Sequence, residues 1–238
     1  MDLNGHFPLG RSEPGDWAHV EKYPYSAVAP TTTATVEKAL KLPRYRAVYD
    51  QHQEGACVGF ASSWMMSILN RSLYDPHWLW DRAKEIDEWP ETKPGDTAGT
   101  SVRAAMDVLR AQGHVRVVRG KDASPSASEG ILENRWATTV DEIRTCIAHG
   151  TPVVFGLPWY VDFDKPVKKG TEYWIGEGDL TLRRGAHAVC IYRASDRRQA
   201  VGIVNNWGTR YPLVWMPYTV VDRMLREHGE ATLVTDRP

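Results

Sequence analysis

The sequence predicts an α+β fold of two lobes, helices first and sheet second. Apolar residues recur at helical spacing from Cys57 to about Leu73 (Phe60, Trp64, Met65, Ile68, Leu69), the mark of a long buried helix. After Gly150 the pattern changes to short β-branched runs such as Pro152-Val153-Val154-Phe155-Gly156-Leu157. The length, 238 residues, suits one large domain or two lobes around a shared cleft. Helices and strands segregated along the chain point to α+β rather than alternating α/β.

Residues 1–45 read as an extended arm, on the evidence of Pro24, Pro30, Thr31-Thr32-Thr33 and Pro43, with a short helix expected at Val36–Leu42. The remainder, 46–238, reads as the main domain, with a helical lobe over about 46–135 and a sheet lobe over about 136–238. Asp75-Pro76 starts a helix through Trp78, Leu79, Trp80, Ala83 and Ile86. Residues 90–99 form a loop, and Thr100 or Ser101 caps a helix that ends near Gly113. A polar loop spans about 119–130, and Thr139 caps a helix that Gly150 stops. Strands are expected at Ala188–Tyr192, Ala200–Val204, Leu213–Trp215 and Ala231–Val234, and a helix at Tyr218–His228.

Composition narrows the function. The chain carries 29 basic and 30 acidic residues and no Lys/Arg cluster with interleaved aromatics, so no nucleic-acid partner is expected. No apolar run approaches the roughly 20 residues that span a bilayer, so no membrane partner is expected. The start, Met1 to His6, lacks the basic-then-apolar pattern of a secretory signal. Three cysteines, Cys57, Cys146 and Cys190, make no disulfide framework and fit a reducing, cytoplasmic setting. They and the eight histidines show no zinc-type spacing, so neither metal nor cofactor is expected. Oligomeric state is left open.

Four residues carry candidate chemistry. Gly55-Ala56 permits a tight turn into a helix starting at Cys57, and the partial positive charge of a helix N-terminus favours thiolate, the attacking form. His187, between small neighbours in Gly185-Ala186-His187-Ala188-Val189 at the start of a strand, suits a general base. Asn205 suits the group that orients the imidazole, with Asn206 as a rival, and Trp207 suits a cover over their bond. Gln51 suits an oxyanion donor beside the Cys57 N–H, with Gln53 a weaker rival. Each also has an ordinary structural reading: a small buried thiol, a satisfied core histidine, turn asparagines, a surface amide. The set is stronger than its members, because His187 follows Cys57 by 130 residues and Asn205 follows His187 by 18.

Three segments together resemble the papain-like cysteine peptidase family: Asp50-Gln51 through Cys57-Val58-Gly59-Phe60-Ala61-Ser62, the His187 segment, and Val204-Asn205-Asn206-Trp207-Gly208-Thr209. The resemblance covers about residues 45–235. It implies a papain-like fold with a helical N-terminal lobe, an antiparallel, barrel-like C-terminal lobe and a cleft between them. It further implies Cys57 as nucleophile, His187 as base, Asn205 as orienter and Gln51 as oxyanion donor. Gly99 and Thr100, in Thr97-Ala98-Gly99-Thr100, fall where the family binds substrate backbone, and Trp207 joins them as a substrate-site candidate. Glu54 stands where secreted relatives have a disulfide cysteine, Val58 where tryptophan is common, and Asn206 where serine is usual. These departures resemble the disulfide-free bacterial and phage branch. No recognisable inhibitory pro-region precedes residue 46, only the arm.

The expected activity is hydrolysis of peptide bonds in a peptide or protein substrate through a thioester. The alternatives are acyl transfer on the same scaffold, and an inactive module that binds peptides or serves as a structural part of a larger assembly.

Overall fold

The computed structural model describes residues 9–11, 18–27, 30–44, 49–89, 98–118 and 124–236. Six helices and nine strands occur among them: α1 Ala18–Lys22, α2 Cys57–Asn70, α3 Pro76–Lys84, α4 Val102–Ala111, α5 Val140–Ala148 and α6 Tyr218–Arg226; and β1 Glu37–Ala39, β2 Ile131–Ala137, β3 Val153–Tyr160, β4 Val167–Lys169, β5 Glu172–Trp174, β6 Arg183–Ser195, β7 Ala200–Val204, β8 Val214–Pro217 and β9 Glu230–Asp236. The strands form one sheet in the order β2-β9-β3-β6-β7-β8-β5-β4, with β1 added on β6. Pairing is antiparallel except between β5 and β8. The fold is α+β.

Local chemistry explains the helix starts. Asp75 accepts from the His77 and Trp78 amides at 3.0 and 3.2 Å, with Pro76 at the first helical position of α3. Ser101 does the same for Ala104 at the start of α4, at 3.1 Å. At α5, Thr139 and Glu142 cap each other's backbone amides at 3.2 and 3.1 Å.

Two apolar cores share one sheet. All eight positions of β3 are buried. Successive side chains alternate between faces, so Val153, Phe155 and Leu157 join one core while Val154 joins the other. In β6, Val189 and Ile191 belong to the first core and Ala188, Cys190 and Tyr192 to the second. The first core is closed by residues of α5 and α6, including Ile143 and Met224; the second is filled by α2, α3 and α4. Helix α2 is buried from Cys57 through Ile68 and lies against β6, which fixes its N-terminus beside His187.

Several expectations shift. The helix expected at Val36–Leu42 is instead β1, paired with Arg193–Ser195; hydrogen bonds to the edge of β6 and burial of Val36 override local preference. Residues 131–137, read mostly as helical lobe, form β2 on the sheet edge, paired with β9. Strand β6 begins at Arg183 rather than Ala188, because β3 pairs with it as far as Tyr160–Arg183, so His187 lies within the strand. The arm is not uniformly extended: it holds α1 and β1. The loop expected at 90–99 lies outside the described residues except for its last two positions, as does 119–123 of the polar loop.

Candidate active site

Cys57 is the first residue of α2, and its N-cap, Ala56, has no side chain to occupy the helix's first amides. A Ser or Asp cap would consume one of them; here the cap residue engages none. The thiol is fully buried, with the backbone amides of Ala188, Gly10 and Val58 near it. Burial pushes it up to about 12, against the opposing pull of those amides and of Arg11.

His187 is also fully buried, and burial pushes its imidazole down to about 3. Its Nε2 lies 2.8 Å from Asn205 Oδ1. That oxygen also accepts from the Asn206 amide at 2.7 Å, which fixes the orientation of the Asn205 side chain. Nε2 therefore carries the proton, and Nδ1, which has no hydrogen-bond partner among the described residues, holds a free lone pair. Trp207 stacks on the imidazole at 4.7 Å and 21°, and Trp159 meets it edge-on at 4.7 Å and 77°. Trp159 is itself anchored by its Nε1–H to Asp164 Oδ1 at 2.8 Å. The ring is held between two indoles.

The two asparagines divide the work. Asn205 faces His187. Asn206 Nδ2 donates to Cys57 O at 3.1 Å and to Ala188 O at 2.7 Å, tying the start of α2 to the strand that carries His187. Gln51 is buried, receives its place from its own N–H to Asn206 O at 2.8 Å, and donates one Nε2 hydrogen to Glu54 O at 2.8 Å. A primary amide has a second hydrogen to give. Glu54 in turn meets His77 of α3 at 2.7 Å.

Trp207 lies beyond the end of β7, not on that strand, and is fully buried against His187. That position covers the ring. Gly99 and Thr100 lie against residues of the chain itself. Thr100 N–H donates to Gly10 O at 3.2 Å, and Arg11 N–H donates to Ala186 O at 3.3 Å. The approach is close: a Cβ on Gly99 would lie 1.8 Å from Gly10 O, and one on Gly10 would lie 2.1 Å from Gly55 O. Leu9-Gly10-Arg11 thus runs over Cys57, between the wall that carries Thr100 and the wall that carries His187.

Arg11 then enters the interior. Its Nη2 meets Glu230 Oε2 at 2.7 Å, with both side chains 0% exposed. Burial alone would raise the Glu230 carboxyl, but Arg11 and His19 outweigh it and hold the group below its usual range. Sequence reasoning missed Arg11, Glu230, Trp159 and the clamp made by Asn206. Nothing in the local pattern around Arg11 or Glu230 marks a contact between residues 219 positions apart.

No family model matches the chain, and no curated protein matches it in sequence. Solved structures do match in shape. Xylellain, a cysteine protease from Xylella fastidiosa, superposes with a TM-score of 0.74 at 18% identity, covering 98% of both chains. Digestive procathepsin L 3 of the Tenebrio molitor larval midgut gives 0.59 at 13% identity, over 95% of this chain and 83% of the other. Procathepsin B S9 from Trypanosoma congolense gives 0.58 at 12% identity, over 99% and 95%. The three cysteines of the present chain are all free thiols. Its architecture is that of the papain-like cysteine proteases.

Proposed function

We propose that this protein is a cysteine peptidase that hydrolyses peptide bonds through a thioester intermediate. The observation that carries the reading is the pairing of the His187–Asn205 hydrogen bond with the Asn206 side chain that ties Cys57 O to Ala188 O, the residue next to His187 on the same strand. His187 Nδ1 takes the proton of Cys57, and the sulfur attacks the substrate carbonyl. The oxyanion binds the Cys57 N–H and the second hydrogen of Gln51 Nε2. His187 returns the proton to the leaving amine, water then attacks the thioester with His187 as base, and the acid leaves.

In the closed arrangement the pair is neutral, because Leu9-Gly10-Arg11 shuts water out and desolvation disfavours both charged forms. Withdrawal of those residues admits water, lowers the thiol, raises the imidazole and allows the ion pair. The free cysteines fit a reducing, cytoplasmic setting.

The test is cleavage of a diverse peptide library by the full chain carrying Arg11→Ala, which loosens the covering segment, beside the same chain with Cys57→Ala added. Cleavage that vanishes with Cys57, by at least about 10⁴-fold, is the expected result. Equal cleavage by both, or none by either under reducing conditions, refutes the reading.

A further inference from the structure

Arg11 occupies a built pocket. Its Nη2 and Nε donate to the same carboxylate oxygen, Glu230 Oε2, at 2.7 and 3.1 Å, and Nη2 also donates to His228 O at 3.2 Å. The other oxygen, Oε1, faces His19 Nε2 at 2.8 Å, and His19 rests edge-on against Trp136 at 4.7 Å. Gly156 of β3 gives the guanidinium its room: a Cβ there would stand 2.5 Å from Arg11 Nε. A carboxylate buried this deeply is stable only when paired, and one partner comes from the cleft side.

The main chain that delivers Arg11 is held on both walls, by Thr100 N–H and Ala186 O, while Gly10 packs against Gly55, two residues before Cys57. A peptide held by the same backbone groups beside the nucleophile would send a side chain into the same pocket. We infer that the Glu230 pocket is the specificity pocket of this cleft, that it selects substrates carrying arginine, and that Arg11 is its internal stand-in. The inference rests on the peptidase reading for its functional meaning. The donors of a guanidinium can meet the carboxylate and the His228 carbonyl together, whereas an ammonium is a point charge and a leucine leaves Glu230 half-paired.

The test uses the full chain with Arg11→Ala, and Arg11→Lys as a second form that keeps a positive charge on the pocket should the first fold poorly. Cleavage sites in a peptide library, read by mass spectrometry, should be enriched in arginine near the cut. Matched peptides with arginine or leucine at that position should differ about 10²-fold in kcat/KM. Adding Glu230→Gln should bring the ratio to within a few-fold of one. A separate binding arm uses the peptide Phe-Pro-Leu-Gly-Arg-Ser-Glu, the sequence of residues 7–13, and its Arg→Leu form, titrated calorimetrically into the Arg11→Ala, Cys57→Ala chain. Tighter binding of the arginine form, with no cleavage of any peptide by the Arg11→Ala chain that retains Cys57, supports the pocket and overturns the peptidase reading. Cleavage without arginine preference, or a preference untouched by Glu230→Gln, overturns the pocket.

Discussion

Two places in the cleft are equally buried and electrically opposite. At Cys57 and His187, burial neutralises both groups: the thiol goes up to about 12 and the imidazole down to about 3. Beside them, Glu230 keeps its charge, because Arg11 supplies the opposite sign and His19 a further partner, both at hydrogen-bond distance. Burial alone therefore does not decide ionisation; the availability of a partner does. Leu9-Gly10-Arg11 sets both states at once. Its backbone covers the sulfur and its side chain satisfies the carboxylate.

The largest effects separate the two asparagines on the neutral side. Asn205→Ala should release the His187 tautomer and lower kcat by about 10²- to 10⁴-fold, the worth of a positioned general base. Asn206→Ala should act first on stability, by about 1–3 kcal/mol, because two buried carbonyls, Cys57 O and Ala188 O, lose their donor. Steady-state kinetics and denaturant melts on both variants check this; equal loss of kcat without loss of stability in Asn206→Ala would contradict the division of work.

Acid should reveal the same neutrality. His187 and His114 both lie buried with imidazoles pushed down to about 3 by desolvation. Each binds a proton more readily unfolded, near pH 6.5, than folded, so stability falls as pH drops from about 6.5 toward 3. The slope reaches about 1.4 kcal/mol per pH unit for each histidine. Glu230, whose folded carboxyl is lowered, adds a loss of the same sign once pH falls below the ordinary carboxylate range. Urea melts at pH 7, 6 and 5 measure the slope, and His114→Asn should roughly halve it between pH 6 and 5. A flat profile would mean that neither imidazole is kept neutral.

A smaller effect belongs to the indole wall. Trp159→Phe keeps an aromatic edge near His187 but loses the bond to Asp164, which retains Arg184 at 2.5 Å. The expected cost is about 1 kcal/mol, seen as a shift in the urea midpoint at unchanged slope.

Much of the frame was legible because the signals were local. Asp75-Pro76 and Thr139 through Glu142 announce α3 and α5 by capping chemistry within four residues. The apolar run 152–157 announces β3 because both faces of that strand are buried. What was illegible depends on distant partners. The segment 36–42 became a strand only because the edge of β6 was there to pair with. Strand β2 alternates poorly, with Leu132 exposed and Asn134 buried, and its pairing with β9 supplies what its pattern lacks. Among the candidate site residues, spacing placed Cys57, His187 and Asn205 in one constellation, yet the difference between Asn205 and Asn206 rests on which side chain reaches across to α2. The segment at Arg11 carried no signal, since its meaning lies in Glu230 and Cys57.

The most direct measurement is the alkylation rate of Cys57 by iodoacetamide against pH, followed by mass spectrometry of the Cys57 peptide. In the wild-type chain the rate at pH 7 should be low, with no inflection below that of an ordinary thiol, about 8.5. With Arg11→Ala the rate should rise at least tenfold and the inflection should fall well below 8.5, and adding His187→Ala should abolish that shift. An inflection that stays at or above 8.5 when Arg11 is removed, or that ignores the loss of His187, would contradict the claim that a Cys57–His187 pair lies beneath Leu9-Gly10-Arg11.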